Sequence, residues 1–230
     1  MNIDMRSIKL LGYLCFLGLA HLMALPLSAQ DFKEDMKKMS GFYHNNDFSL
    51  EVNLNIISAR VGSMSRKAIL QKSGKNLYYE LDKTKMFYSD EVSLLINDAE
   101  KDIVLRKVTP KEFELALNGA VQVNIDSLVS KYDSVNFVQG DKYKTYTIYT
   151  SKSVVSKTVI KLDVTDYSIR EMEYFYNKAY TGEVTKTVAV FSDYTSSKRY
   201  TTDSFVTKTG DKFQLTSAYN KYTLILADTK

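Results

Sequence analysis

From residue 47 onward the chain alternates. Phe48, Leu50, Val52, Leu54 and Ile56 are apolar, and Ser49, Glu51, Asn53 and Asn55 between them are polar. A period of two places all the apolar side chains on one side of an extended backbone and none of them on one side of a helix. The segment is therefore a strand with one dry face. Comparable runs follow at Ala68 to Lys72, closed by Ser73-Gly74, then Leu77 to Leu81 and Lys85 to Tyr88. Two more lie at Glu91 to Ile96, turning at Asn97-Asp98, and at Lys101 to Lys107. Six strands joined by short turns predict an antiparallel meander.

The pattern breaks once. Thr109-Pro110 suits a helix start, with Thr109 as the cap and Pro110 in the first turn. Phe113, Leu115, Ala116 and Leu117 extend a short helix to Asn118-Gly119, and 125–132 reads as a second one. Strands resume at Lys142 to Thr150, Lys157 to Val164, Ser168 to Asn177 and Glu183 to Tyr194. The tail from Ser204 to Ala227 adds one or two more, including Tyr222 to Leu226. Before the first strand, Phe32, Met36 and Met39 recur at helical spacing, with Lys33, Glu34, Lys37 and Lys38 turned away. Gly41 marks the expected end of that helix. No linker or repeat divides the chain. The prediction is one mainly β (α+β) domain over 30–230, with about ten antiparallel strands, a few short helices and a helical insertion at 109–133.

Residues 1–29 stand apart. Arg6 and Lys9 precede an apolar run from Leu10 to Ala20, which resumes after His21, and Ser28-Ala29-Gln30 supplies a small residue for cleavage. That order is a secretory signal, so the expected location is the periplasm. An uncleaved anchor is the alternative, since the run approaches the ~20 residues that span a bilayer. Lipid attachment at Cys15 fits less well, because Gly12-Tyr13-Leu14 lacks the small residues such a site needs.

Cys15 is the one cysteine. Beyond the leader there is no thiol for a disulfide, a nucleophile or a metal. The net charge of +4 is slight and well mixed, with neither a basic stripe for nucleic acid nor a polybasic patch for anionic lipid. His44 is the one histidine past the leader, so a His-rich metal site is excluded and a Ser-His-Asp triad would have to use it. It stands in a turn-rich stretch that suits a surface or capping role. Glu171 and Glu173 share a strand face about 7 Å apart, a spacing compatible with a hydrolase, but an acidic row on a solvated face is the commoner cause. Trp, a common sugar platform, is absent. Asp98, Glu100 and Asp102 form an acidic turn without the glycine of a calcium loop. No phosphate loop or nucleophile elbow occurs. The expectation is no catalytic residue, no metal and no cofactor.

Apolar surface is what remains. The chain has 17 Tyr, many of them in strands, and several strands are apolar on both faces, as at Leu94-Leu95, Ile103-Val104 and Leu77-Tyr78-Tyr79. Such a sheet needs helices or a ligand to cover it. Lys72-Ser73-Gly74-Lys75-Asn76-Leu77-Tyr78-Tyr79, followed by Tyr88-Ser89-Asp90-Glu91, resembles the periplasmic lipoprotein carriers of the LolA/LolB-like family over residues 68–96. The order of helix, six strands, helical insertion and further strands is similar as well. The resemblance implies a curved sheet, or incomplete β-barrel, covered by a few short helices over an apolar cavity. It implies lipid or lipoprotein acyl chains as cargo for the outer membrane, held without enzymatic activity by a monomer. The cavity would be lined by Leu50, Val52, Leu54, Leu70, Tyr79, Phe87 and Leu94, and closed by Phe32, Met36 and Met39. Lys72 falls where the family has an arginine that ties down a helical lid, and a lysine lacks that planar fork. Glu91 stands in place of a turn Gly, and Leu94 or Leu95 in place of a Trp. An envelope protein bound through the Tyr-rich strands from 143 to 194 is the alternative partner.

Overall fold

The computed structural model describes residues 31–227 apart from 122–131, 152, 182–183, 196–197 and 211. The leader, and all of the expected helix over 125–132 save Tyr132, lie outside the described residues.

A helix at 31–45 (α1) leads into six strands. They are β1 (Phe48–Ser58), β2 (Gly62–Ser73), β3 (Asn76–Leu81), β4 (Thr84–Tyr88), β5 (Val92–Asn97) and β6 (Asp102–Lys107). Helix α2 (Pro110–Val121) follows, then β7 (Ser134–Gln139), β8 (Tyr143–Tyr149), β9 (Val155–Asp163) and β10 (Ile169–Tyr176). A single turn of helix, α3 (Lys178–Thr181), precedes β11 (Val184–Asp193). The C-terminal segment holds β12 (Val206–Thr209), β13 (Lys212–Leu215), two short 3-10 turns and β14 (Thr223–Leu226).

Twelve strands form one sheet in the order β14-β6-β5-β4-β3-β2-β1-β11-β10-β9-β8-β7, while β12 and β13 pair as a separate hairpin. β1 joins the two halves. It pairs with β2 along its whole length and with β11 from Leu50 to Ser58. The sheet is open, with β14 and β7 as its two edges, as expected of an incomplete barrel. One expectation is corrected, because the sheet is not wholly antiparallel. β14 runs parallel to β6, with Thr223 opposite Asp102 and Leu226 opposite Leu105. A parallel neighbour needs a long connection, and the chain between β6 and β14 supplies one.

Two covers bury the sheet, on opposite faces. On one face, Phe32, Met36, Met39 and Tyr43 of α1 share a core with Leu50, Val52, Leu70, Leu77, Tyr146, Ile160, Met172 and Phe113 of α2. On the other, Phe205 and Val206 of the C-terminal segment share a core with Tyr78, Phe87, Val92, Leu94, Ile96, Ile103 and Leu105. Ring contacts knit the second core. Tyr78 stacks on Tyr200 at 3.7 Å between centroids, and Phe205 lies 5.1 Å from Phe87 and 5.7 Å from Tyr219. The double-faced apolar strands are now explained, since β3 to β6 have a core on the second face as well.

α1 runs past Gly41 to residue 45. Gly in a helix costs about 1 kcal/mol against Ala, but stopping there would forfeit Tyr43. That side chain is buried, packs edge-on against Phe48 at 5.2 Å, and accepts the Ile169 N–H at 3.0 Å. The helix is closed instead by Asn46, whose backbone and side-chain N–H groups both donate to the Phe42 carbonyl, at 3.1 and 2.9 Å. Asp47 then accepts the Gly74 N–H at 2.7 Å, fixing the β2–β3 turn beneath the helix end. Gly74 adopts φ +55 there, a conformation that costs glycine little.

A polar latch lies within the first core. Asp35, on the buried side of α1 and 3% exposed, accepts from Lys144 Nζ and from the Tyr146 hydroxyl of β8, both at 2.6 Å. Lys38 adds its charge at 3.7 Å from Asp35 and donates to the Tyr167 hydroxyl at 3.2 Å. Burial alone would lower the Lys144 pKa. The Asp35 hydrogen bond and charge outweigh it, and the net shift is upward. Burial, then Asp35, raises Tyr146.

Removing one partner of such a pair strands a buried charge, at a cost of about 3–5 kcal/mol. Asp35→Ala should therefore lower the chemical-denaturation stability by about that amount. A loss below about 1 kcal/mol, the ordinary worth of an exposed pair, would show that the latch is solvated.

Burial pushes Tyr43 from 10.0 up to about 12, with the Ile169 bond and Arg170 opposing more weakly, and burial likewise pushes Tyr174 to about 12. The folded state then holds these protons more tightly than the unfolded chain. Their contribution is complete below pH 10.0 and is lost as pH rises towards about 12. The urea midpoint should fall across that window, and the Tyr43→Phe and Tyr174→Phe double variant should flatten the fall.

Candidate functional site

The sheet face that carries α1 is built from rows of paired side chains. Register fixes one row across seven strands. Leu50 pairs with Leu70, Leu70 with Tyr79, Tyr79 with Met86, Met86 with Leu95, Leu95 with Val104, and Val104 with Ile225. Directly paired residues share a face, so these seven form a continuous apolar line across the strands. Its inner end lies under α1, where Leu50 and Leu70 are buried. Its outer end does not. Tyr79, Met86 and Val104 are half-buried, and Leu95 and Ile225 are 43% and 44% exposed.

The neighbouring rows on this face hold Leu77, Tyr88 and Leu81 at β3 and β4 and turn polar at β5 and β6. Ser93 opposite Arg106 flanks the line on one side, and Asn97 opposite Asp102 on the other. Arg106 is held by Glu112 of α2 at 2.7 Å. Glu112 also accepts the Thr109 N–H at 2.7 Å, while its own N–H reaches Thr109 Oγ1 at 3.3 Å. This reciprocal cap fixes where α2 begins, beside the outer half of the line.

The residues expected to line one cavity fall into two places. Phe32, Met36, Met39, Leu50, Val52 and Leu70 are buried members of the first core, with Leu54 and Tyr79 packed at its margin. The three helix residues are at most 1% exposed, so they fill the space between helix and sheet. Phe87 and Leu94 belong to the opposite face. They sit in the second core beneath Phe205. The reason is register, because Tyr79 pairs with Met86, which turns Phe87 away from it. Adjacent apolar residues in β4 and β5 hide this parity in the sequence. Met86, Leu95, Val104 and Ile225 were the members that sequence reasoning missed. The doublets Leu94-Leu95 and Ile103-Val104 were the available signal.

Lys72 is buried, and its ammonium donates to the Asn46 carbonyl at 3.1 Å, just past the C-terminal end of α1. A cation there meets the carbonyl-rich end of the helix. It joins β2 to the connection that carries the helix into β1.

Three of the acidic candidates, Glu171, Glu173 and Asp98, are engaged with a base. Glu171 lies 3.6 Å from Lys161, and Glu173 lies 3.0 Å from Lys186. Asp98 meets Lys85 at 2.7 Å and the Tyr222 hydroxyl at 2.8 Å. His44 is exposed on the last turn of α1, its Nδ1 3.3 Å from the Ser40 carbonyl oxygen. Among the described residues, no group of three or more His, Cys, Asp or Glu side chains could hold a metal ion. No helix among them is long and apolar enough to cross a membrane.

No protein-family model matches the chain, and no curated protein matches it. Solved structures do. A LolA superfamily protein from Nitrosomonas europaea is similar at 9% identity and a TM-score of 0.33, over 72% of this chain and 91% of that one. LprF from Mycobacterium bovis is similar at 10% identity and a TM-score of 0.38, over 73% and 93%. The MucA/MucB complex of Pseudomonas aeruginosa is similar at 10% identity and a TM-score of 0.38, over 81% and 63%. These are distant likenesses of fold.

Proposed function

We propose that the chain is a non-enzymatic carrier of the bacterial envelope that holds acyl chains of lipids or lipoproteins on the α1-bearing face of its sheet. The observation that supports this reading is the apolar line that leaves the cover of α1 and continues into solvent across β3 to β6 and β14. Exposed apolar surface on a folded chain is costly, and one of its ordinary uses is to receive an apolar ligand. An acyl chain laid on it gains roughly 0.8 kcal/mol for each CH₂ removed from water. Met86 adds an adaptable contact suited to chains of variable shape. Of the charged groups beside it, Arg106 is paired with Glu112, which leaves binding to the apolar row.

An alternative reading is an accessory protein that binds another envelope protein. It draws on Tyr143 and Tyr149 of β8, which are more than a third exposed beside the edge strand β7. Amphipathic rings of this kind favour protein interfaces.

The separating experiment is native mass spectrometry of protein secreted with its own leader, followed by organic extraction, on the wild type and on Met86→Asp and Leu95→Asp. Both positions are accessible, so the variants should keep the wild-type circular dichroism and melting behaviour. Acyl ligand should be present in the wild type and reduced at least about tenfold in each variant, since a charge on the line must be desolvated by the ligand. Equal loading in both folded variants would remove the line from the site. If the protein is empty and takes up no added lipid, the protein-binding reading takes precedence.

A further inference from the structure

We infer, resting on the acyl-binding reading above, that the site is built for a single acyl chain lying flat across the strands, with its methyl end towards α1 and its polar end at the β14 edge. The width of the line carries this. Over β5 and β6 it is one side chain wide. Ser93 and Arg106 border it on one side, Asn97 and Asp102 on the other. A second chain laid parallel to the first would rest on these polar groups and take them out of water, which is unfavourable.

The length of the line agrees. From Tyr79 to Ile225 it crosses five adjacent strands, β3, β4, β5, β6 and β14. At the usual strand spacing that is about 19 Å. This is the length of an extended palmitoyl chain, and comparable to the ~15 Å that one leaflet contributes to a bilayer core. The direction follows from the ends. Beyond Tyr79 the line passes into the closed core at Leu70, where only an apolar terminus can be received. Beyond Ile225 the sheet ends, so a headgroup there stays in water.

The test uses the full mature protein with a fatty-acid series from decanoate to stearate, and with monopalmitoyl and dipalmitoyl forms of one lipopeptide. Affinity should rise about two- to fourfold for each added CH₂ while the chain still finds apolar row, the upper figure being full burial. It should level off near palmitate. The dipalmitoyl lipopeptide should bind no more than about tenfold tighter than the monopalmitoyl form, because its second chain finds no row to gain that per-CH₂ increment. In Ile225→Asp the levelling point should move down by about four carbons, one strand spacing of row having been lost.

A dipalmitoyl form bound more than about hundredfold tighter, the gain of only a few further buried CH₂ groups, would overturn the single-chain site while leaving the carrier reading intact. An unmoved levelling point in Ile225→Asp would overturn the orientation. Binding of none of these probes would instead overturn the acyl reading itself, so the two failures are distinguishable.

Discussion

A sheet has two faces, and every apolar side chain on either face must be covered or left in water. The two covers here are divided between faces. α1 is pinned to one face by the Asp35 contacts to Lys144 and Tyr146, and it packs on strands from both halves of the sheet. The C-terminal segment covers the other face at β3 to β6 through Phe205 and Val206. Because the second cover lies on the reverse side, β4, β5 and β6 are backed there by Phe205 and Val206, while among the described residues of the α1-side row Leu95 and Ile225 stay 43% and 44% exposed. That offset between covers places the candidate site where it is.

The polar groups within the first core define position as much as strength. An apolar helix on an apolar sheet can slide by a turn at little cost, whereas a buried carboxylate must find its two donors. Asp35 between Lys144 and Tyr146 sets the N-terminal part of α1, and the Tyr43 hydroxyl with the Ile169 N–H sets its C-terminal part. Tyr167, at φ +62, faces Lys38 and Lys144, whose ammonium groups lie 4.8 and 5.1 Å from its ring centre. A bulky residue seldom adopts that backbone conformation, and it persists where surrounding contacts over-determine it.

Much of the architecture was legible because alternation is a local property. β1 could be read from Phe48 to Ile56 since each polar residue between its apolar neighbours reports the face directly. The first half of β2, Gly62 to Lys67, could not, because it is exposed throughout and nothing there alternates. β7 was missed for a similar reason, as its six residues carry no charge and none is fully buried. The site was less legible than the fold. Leu94 and Leu95 are chemically identical, and which one faces α1 depends on pairing with β4, a fact held by the register of the turn and not by either residue. The parallel pairing of β14 with β6 has no local signature at all.

That parallel pairing bears on the order in which the molecule forms. β1 to β6 are joined by short turns and can zip as the chain emerges. β6 then waits for a partner about 120 residues further on, and β1 waits for β11 longer still. Contacts of such separation close slowly, since the loop entropy is spent before they repay it. Until β14 arrives, β6 is a sheet edge, and Ile103 and Leu105 lack the cover that Phe205 and Val206 provide. The half of the sheet that carries the candidate site is therefore the first to be drawn and the last to be finished, and a chain paused at that stage would present its stickiest edge to its surroundings.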